Sequence, residues 1–137
     1  MFPTFRYELS KEWQDRFQNT SLFNEYAKVN KIEIKDRNIE GARIPGSITK
    51  DFIFKNIRFT DFGGKESKWE NGEFSDSEFD DFSFYNAHLK NVTFRNSKFT
   101  TAYFTGAILE NVKFIDCEIS GSYFFKLRNS NIEFINS

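Results

Sequence analysis

His88, Cys117 and a run of carboxylates are the residues of this chain best placed to do chemistry. His88 is the only histidine and could act as a base or a metal ligand; Cys117 is the only cysteine and could act as a nucleophile. Glu70, Glu73, Asp76, Glu78, Asp80 and Asp81 put six acids into twelve residues with no base among them. The stretch "FGGKESKWENGEF", residues 62 to 74, contains Gly63, Gly64, Lys65 and Glu66, but its "GGK" lacks the longer Gly-x4-Gly-Lys-Ser/Thr pattern that cradles phosphate. No Gly-x-Ser-x-Gly, His-Glu-x-x-His or calcium-loop pattern is present. A single cysteine rules out an internal disulfide framework and a multi-cysteine zinc site. "NTS" at Asn19 and "NVT" at Asn91 match glycosylation acceptors, which mean little without a secretory signal. The residues point to a protein that is not an enzyme and carries no cofactor or metal.

Composition bounds the rest. With 137 residues, one domain is expected, and 19 Phe supply the material for a core. Nineteen basic against twenty acidic side chains leave a formal charge of −1, so no global field calls for direct binding to nucleic acid or to an anionic membrane. No apolar run reaches the length of a membrane span, and "MFPTFRYEL" lacks the basic start and apolar stretch of a secretory signal, so a cytoplasmic location is expected.

The element that must position these side chains is neither a helix nor an ordinary strand. In "NVTFRNSKFTTAYFTGAILENVKF", residues 91 to 114, Phe94, Phe99, Phe104, Leu109 and Phe114 recur every five residues. A five-residue step walks around a helix and changes face on a strand, so a short extended segment followed by a corner is required. From residue 54 to 134 the same slot occurs 17 times and holds Phe, Trp, Leu or Ile in 15 of them, Gly64 and Asn129 being the exceptions. Two residues earlier stand mostly small side chains, among them Ser77, Ala87, Val92, Ser97, Ala102 and Cys117, which share the inward direction. Two residues later come Asn, Asp or Gly at most repeats, the types that tolerate a left-handed corner. His88 precedes inward Leu89 and therefore points outward, whereas Cys117 is expected to be packed and inert.

This pattern resembles the pentapeptide-repeat family, which implies an all-β solenoid: a right-handed quadrilateral β-helix, here of about five coils. The repeat is expected over residues 32–137, with residues 1–31 as an N-terminal helical cap built around Trp13, Phe17, Leu22, Tyr26 and Val29. The core would be Phe54, Phe59, Phe74, Phe79, Phe84, Phe94, Phe99, Phe104, Phe114, Phe124 and Phe134. Phe52, Phe62, Phe82 and Leu127 are bulky for small slots, so their coils are expected to bulge or repack; at Gly64 the chain is expected to loop outward, making residues 63–66 a candidate site.

Charge supports four repeats per coil. Lys50, Glu70, Lys90 and Glu110 alternate in sign every 20 residues, as do Arg58, Glu78, Lys98 and Glu118, and opposite charges across neighbouring strands are favourable. The expected role is a rigid protein-interaction scaffold with an unidentified protein partner. The resemblance implies an alternative, since some members imitate duplex DNA and occupy gyrase; the six-acid run would serve there, while Lys90 and Lys98 would oppose it. It also implies a homodimer formed through the C-terminal end.

Overall fold

A computed structural model describes residues 28–42 and 44–137. They form one continuous parallel β-solenoid of about five turns, without a helix. The strands are β1 (Lys28–Glu40), β2 (Ile48–Gly63), β3 (Lys68–Ser75), β4 (Glu78–Ser83), β5 (His88–Arg95), β6 (Lys98–Tyr103), β7 (Ile108–Ile115), β8 (Ser122–Tyr123) and β9 (Ile132–Ile135). Each residue pairs with the one 20 positions on: Ile34 with Phe54, Phe54 with Phe74, Phe74 with Phe94, Phe94 with Phe114 and Phe114 with Phe134. A turn of 20 residues with a corner every fifth is four-sided. The regular stack reaches further toward the N-terminus than expected, because Lys28 already pairs with Ile48; the rest of the expected cap lies outside the described residues.

The corners explain the Asn, Asp and Gly of the repeat. From Lys31 to Asn96 every fifth residue has positive φ, including Lys31 and Glu66, whose types gave no sign of it. At one corner of each turn the bend closes by a direct backbone bond, as from Ala87 N–H to Phe84 C=O at 3.0 Å and from Ala107 N–H to Phe104 C=O at 3.1 Å. At another the small inward side chain does that work. Ile57 N–H donates to Ser77 Oγ (3.1 Å), Ser77 N–H to Ser97 Oγ (3.2 Å) and Cys117 N–H to Ser137 Oγ (2.9 Å), while the Ser77 and Ser97 hydroxyls donate back to the carbonyls of Ser75 and Arg95. The serines are therefore partners for corner amides that would otherwise be buried unpaired. One corner fails. Thr101, a β-branched residue, does not take positive φ, and the pairing of β4 with β6 slips there, so that Asp80 faces Thr101.

The inward rings stack in columns. Phe74, Phe94 and Phe114 lie 5.0 and 4.9 Å apart and within 6° of parallel; Phe79 and Phe99 lie at 4.5 Å and Phe104 and Phe124 at 4.8 Å. From Phe54 to Phe114 the expected core phenylalanines are fully buried. Phe124 is half-buried, and Phe134, which stacks on Phe114 at 5.1 Å, is 51% exposed.

The bulky residues repack instead of distorting the coil. Phe52 faces Gly72 on the next turn, where a side chain would collide with its ring. Phe62 and Phe82 stack on each other at 4.5 Å. Gly64 makes no outward loop: it is buried, its N–H donates to Ser83 C=O at 2.7 Å, and the next turn-to-turn bond follows at Glu66, whose N–H donates to Tyr85 C=O at 2.8 Å. The vacant ring position is taken up by Phe62 and by Trp69, whose indole N–H donates to Ser67 Oγ at 2.8 Å. Gly63, Gly64, Lys65 and Glu66 are thus an ordinary part of the coil. Around Leu127, which is half-buried, the last turn does lose strand structure, and Asn129 leaves the inward slot.

Candidate functional site

Because the interior is packed with rings, what this chain can offer is its outer surface. Each turn has four sides. In the turn that begins at Ile48, side 1 presents Ile48 and Lys50, side 2 Ile53 and Lys55, side 3 Arg58 and Thr60, and side 4 Gly63 and Lys65; residues 20 on follow in column.

Winding disperses the six-acid run over three sides. Glu70 lies on side 1 with Lys50 Nζ at 3.6 Å, and Glu73 on side 2 with Arg95 Nε at 3.0 Å. Asp76 takes the next corner and Glu78 and Asp80 share side 3, with Arg58 Nε 3.8 Å from Glu78. Asp81 turns the following corner. Such exposed pairs contribute about 0 to 1 kcal/mol each, so they decide local charge more than stability. Lys90 and Lys98 share columns with Glu70 and Glu78 but close no ion pair within the described residues.

Stacking then gathers acids that are far apart in sequence. Side 3 and its two corners carry Asp36, Glu40, Asp61, Asp76, Glu78, Asp80, Asp81, Asp116 and Glu118, nine outward carboxylates against three cations, Arg37, Arg58 and Lys98, the Arg37 guanidinium donating to the carbonyls of Lys35 and Asp36. The near-neutral chain is therefore strongly polarised, its bases lying mainly on sides 1 and 2 as Lys50, Lys68, Lys90, Lys55, Arg95 and Lys113. A groove of about 350 Å³ follows the acidic side, lined by Asp76, Ser77, Glu78, Asn96, Ser97, Lys98, Asp116 and Glu118. A residue-by-residue scan misses this strip; reading every twentieth residue as a column would have found it.

The same reading shows how the groove edge is held. Asp36, Asn56, Asp76, Asn96, Asp116 and Asn136 alternate down one corner, with Asn56 Nδ2 donating to Asp36 and Asn96 Nδ2 to Asp76, both at 2.8 Å. Alternation places an amide donor between carboxylates that are two strand spacings, about 10 Å, apart. Asn96→Asp puts three acids in a row and removes a donor, and is expected to cost about 1 kcal/mol at neutral pH. The loss should shrink in melts run below the carboxylate range; a loss independent of pH would show that charge is not its cause.

The residues considered for chemistry are otherwise occupied. His88 Nε2 is 3.1 Å from Glu110 Oε2 on the outside of side 1. Cys117 is 5% exposed, its thiol donating to the carbonyls of Phe94 and Ile115, and burial pushes its pKa above the usual thiol value. Among the described residues, no group of three or more His, Cys, Asp or Glu side chains is placed to hold a metal ion, and no helix is long and apolar enough to cross a membrane.

Solved structures similar to this chain include two of low identity. HetL, a pentapeptide repeat protein involved in heterocyst differentiation regulation from the cyanobacterium Nostoc sp., is 11% identical over 78% of this chain, with a TM-score of 0.37; the match spans 59% of HetL's length. QnrB1, a plasmid-mediated fluoroquinolone resistance protein, is 17% identical over 80% of this chain and 72% of its own, also with a TM-score of 0.37. No curated protein matches the sequence. The family described as "Pentapeptide repeat region" matches residues 47–124, more than half of the chain, and with the five-residue corners, the 20-residue register and the stacked inward rings this establishes that the chain belongs to the pentapeptide-repeat family.

Proposed function

We propose that this chain is a non-catalytic, rigid scaffold of the cytoplasm whose side 3 docks a protein with a basic surface. The observation that carries this reading is the polarity of the solenoid: nine carboxylates against three cations on one side of a chain of net charge −1. Acids held at the 4.8 Å strand spacing by a packed core lose little freedom on binding, and their field attracts a basic partner at a rate that falls with salt. The neutralised variant Glu78→Gln/Asp80→Asn/Asp81→Asn tests it. These side chains are outward, so the variant should melt with the parent. A protein retained from lysate by immobilised parent at low salt should be lost both with the variant and at high salt; equal retention by parent and variant would overturn the docking surface.

The same polarity favours a second reading, a DNA mimic that enters the basic groove of a topoisomerase such as gyrase, to inhibit it or to protect it from quinolones. Arg58 and Lys98 interrupt the acidic columns of side 3, which a phosphate mimic has no use for, so this reading stands second. A gyrase supercoiling assay with and without a quinolone decides it, and no effect at micromolar protein would sink the mimic while leaving the scaffold reading intact.

A further inference from the structure

Side 4 differs from the other three. Over its last three turns its outward residues are Ser83, Tyr85, Tyr103, Thr105, Tyr123 and Phe125, none of them charged, whereas each other side presents three or more charged residues over the same turns. Tyr85, Tyr123 and Phe125 are 44%, 43% and 60% exposed. The Tyr103 and Tyr123 rings stack at 5.2 Å and 8°, and Phe125 continues the strip 5.9 Å from Tyr123. The side chains thus stand off the sheet as a stiff aromatic ridge, and contiguous exposed apolar surface of this kind marks contact sites.

We propose that side 4 is the interface of a homodimer in which two copies of this chain pack side by side. A two-fold contact lays a surface on itself, so every charge near the axis meets its own kind. Side 3, with its excess of carboxylates, would bring like charges together in that arrangement; the last three turns of side 4 present only rings and hydroxyls along their face, Lys65 standing one turn earlier. Flat β faces pack about 10 Å apart, a gap that tyrosine and phenylalanine rings from both copies can fill. Tyrosine also suits such a contact because it buries large area with few rotatable bonds and keeps a hydroxyl for hydrogen bonding. Tyr85 and Tyr103 belong to interior turns, so their exposure does not depend on what lies near Ser137. A dimer in equilibrium with its monomer should depend on concentration.

Sedimentation velocity of the full chain over a range of concentrations tests the proposal. The parent should convert from monomer to dimer as concentration rises. Tyr85→Asp/Phe125→Asp, which alters exposed side chains and places acids against acids across the axis, should raise the dissociation constant at least tenfold with unchanged circular dichroism. Phe134→Asp at the C-terminal end should leave it unchanged. Oxidative dityrosine cross-linking of the parent gives an independent readout and should yield a covalent dimer joined through side-4 tyrosines. A parent that stays monomeric throughout, or a dimer that survives the side-4 variant and is lost with Phe134→Asp, would overturn the proposal.

Discussion

Replacing Phe94 by alanine is expected to lower the unfolding free energy by about 3 to 5 kcal/mol, the range for a fully buried phenylalanine. Phe94 is fully buried and lies midway along the column, stacked 5.0 Å from Phe74 and 4.9 Å from Phe114, with Phe79, Phe84, Phe99 and Phe104 around its edge. The neighbours cannot collapse into the vacancy, because each is fixed by strand pairing to its own level of the stack. Transfer and cavity terms therefore both apply. In a solenoid each turn is held by its neighbours, so truncation at the centre weakens two interfaces at once. A thermal melt should fall by roughly 10 to 20 °C. Phe134→Ala is the internal control: that ring is already half in solvent and should cost far less. Equal losses at the two positions would mean that the column does not carry the stability assigned to it.

Much of the fold could be read from the sequence because one structural unit is repeated so often that exceptions average out. Phe at every fifth position and Asn, Asp or Gly at the corners name the coil, and the sign alternation from Lys50 to Glu110 gives the 20-residue turn that the strand register has. What could not be read were single positions judged by type alone. Gly64 in a ring slot suggested an excursion, yet backbone pairing with the adjacent turn holds it in place and the space is filled by Phe62 and Trp69, side chains two and five residues away. Glu66 and Lys126 adopt left-handed corners that their types disfavour, because the turns stacked on them set the path; Thr101 does not, and the ladder slips instead. The acidic run was visible as residues but misleading as a patch. Consecutive residues travel around the rod, so Glu70 and Glu73 part from Asp80, while Asp116 and Glu118 join it from two turns away.

The Phe52 and Gly72 pair lets that rule be measured. Gly72→Val is expected to cost about 3 kcal/mol, the upper end for overpacking, because a Cβ at residue 72 would stand 2.2 Å from Phe52 Cε1. The ring has nowhere to go: Phe54, Trp69 and Phe74 lie 5.1 to 5.4 Å from it, centroid to centroid. Backbone strain is not the cause, since Gly72 is not among the residues with positive φ, and valine suits a strand better than glycine does. Phe52→Val alone should cost about 2 kcal/mol by leaving a partial cavity. Together the two changes make a Val–Val pair like that of Val92 and Val112, which already stack in the same column further along. The double variant should then lose about 2 kcal/mol, well short of the roughly 5 expected from simple addition, which makes the coupling energy about 3 kcal/mol, at the upper end for residues in contact. Denaturant unfolding of the four proteins supplies the cycle, and additivity within 0.5 kcal/mol would show that Gly72 is not what admits Phe52. The prediction turns on residues 20 apart, not neighbours in sequence: a bulky side chain in a small slot is harmless when its partner one turn away has given up its own.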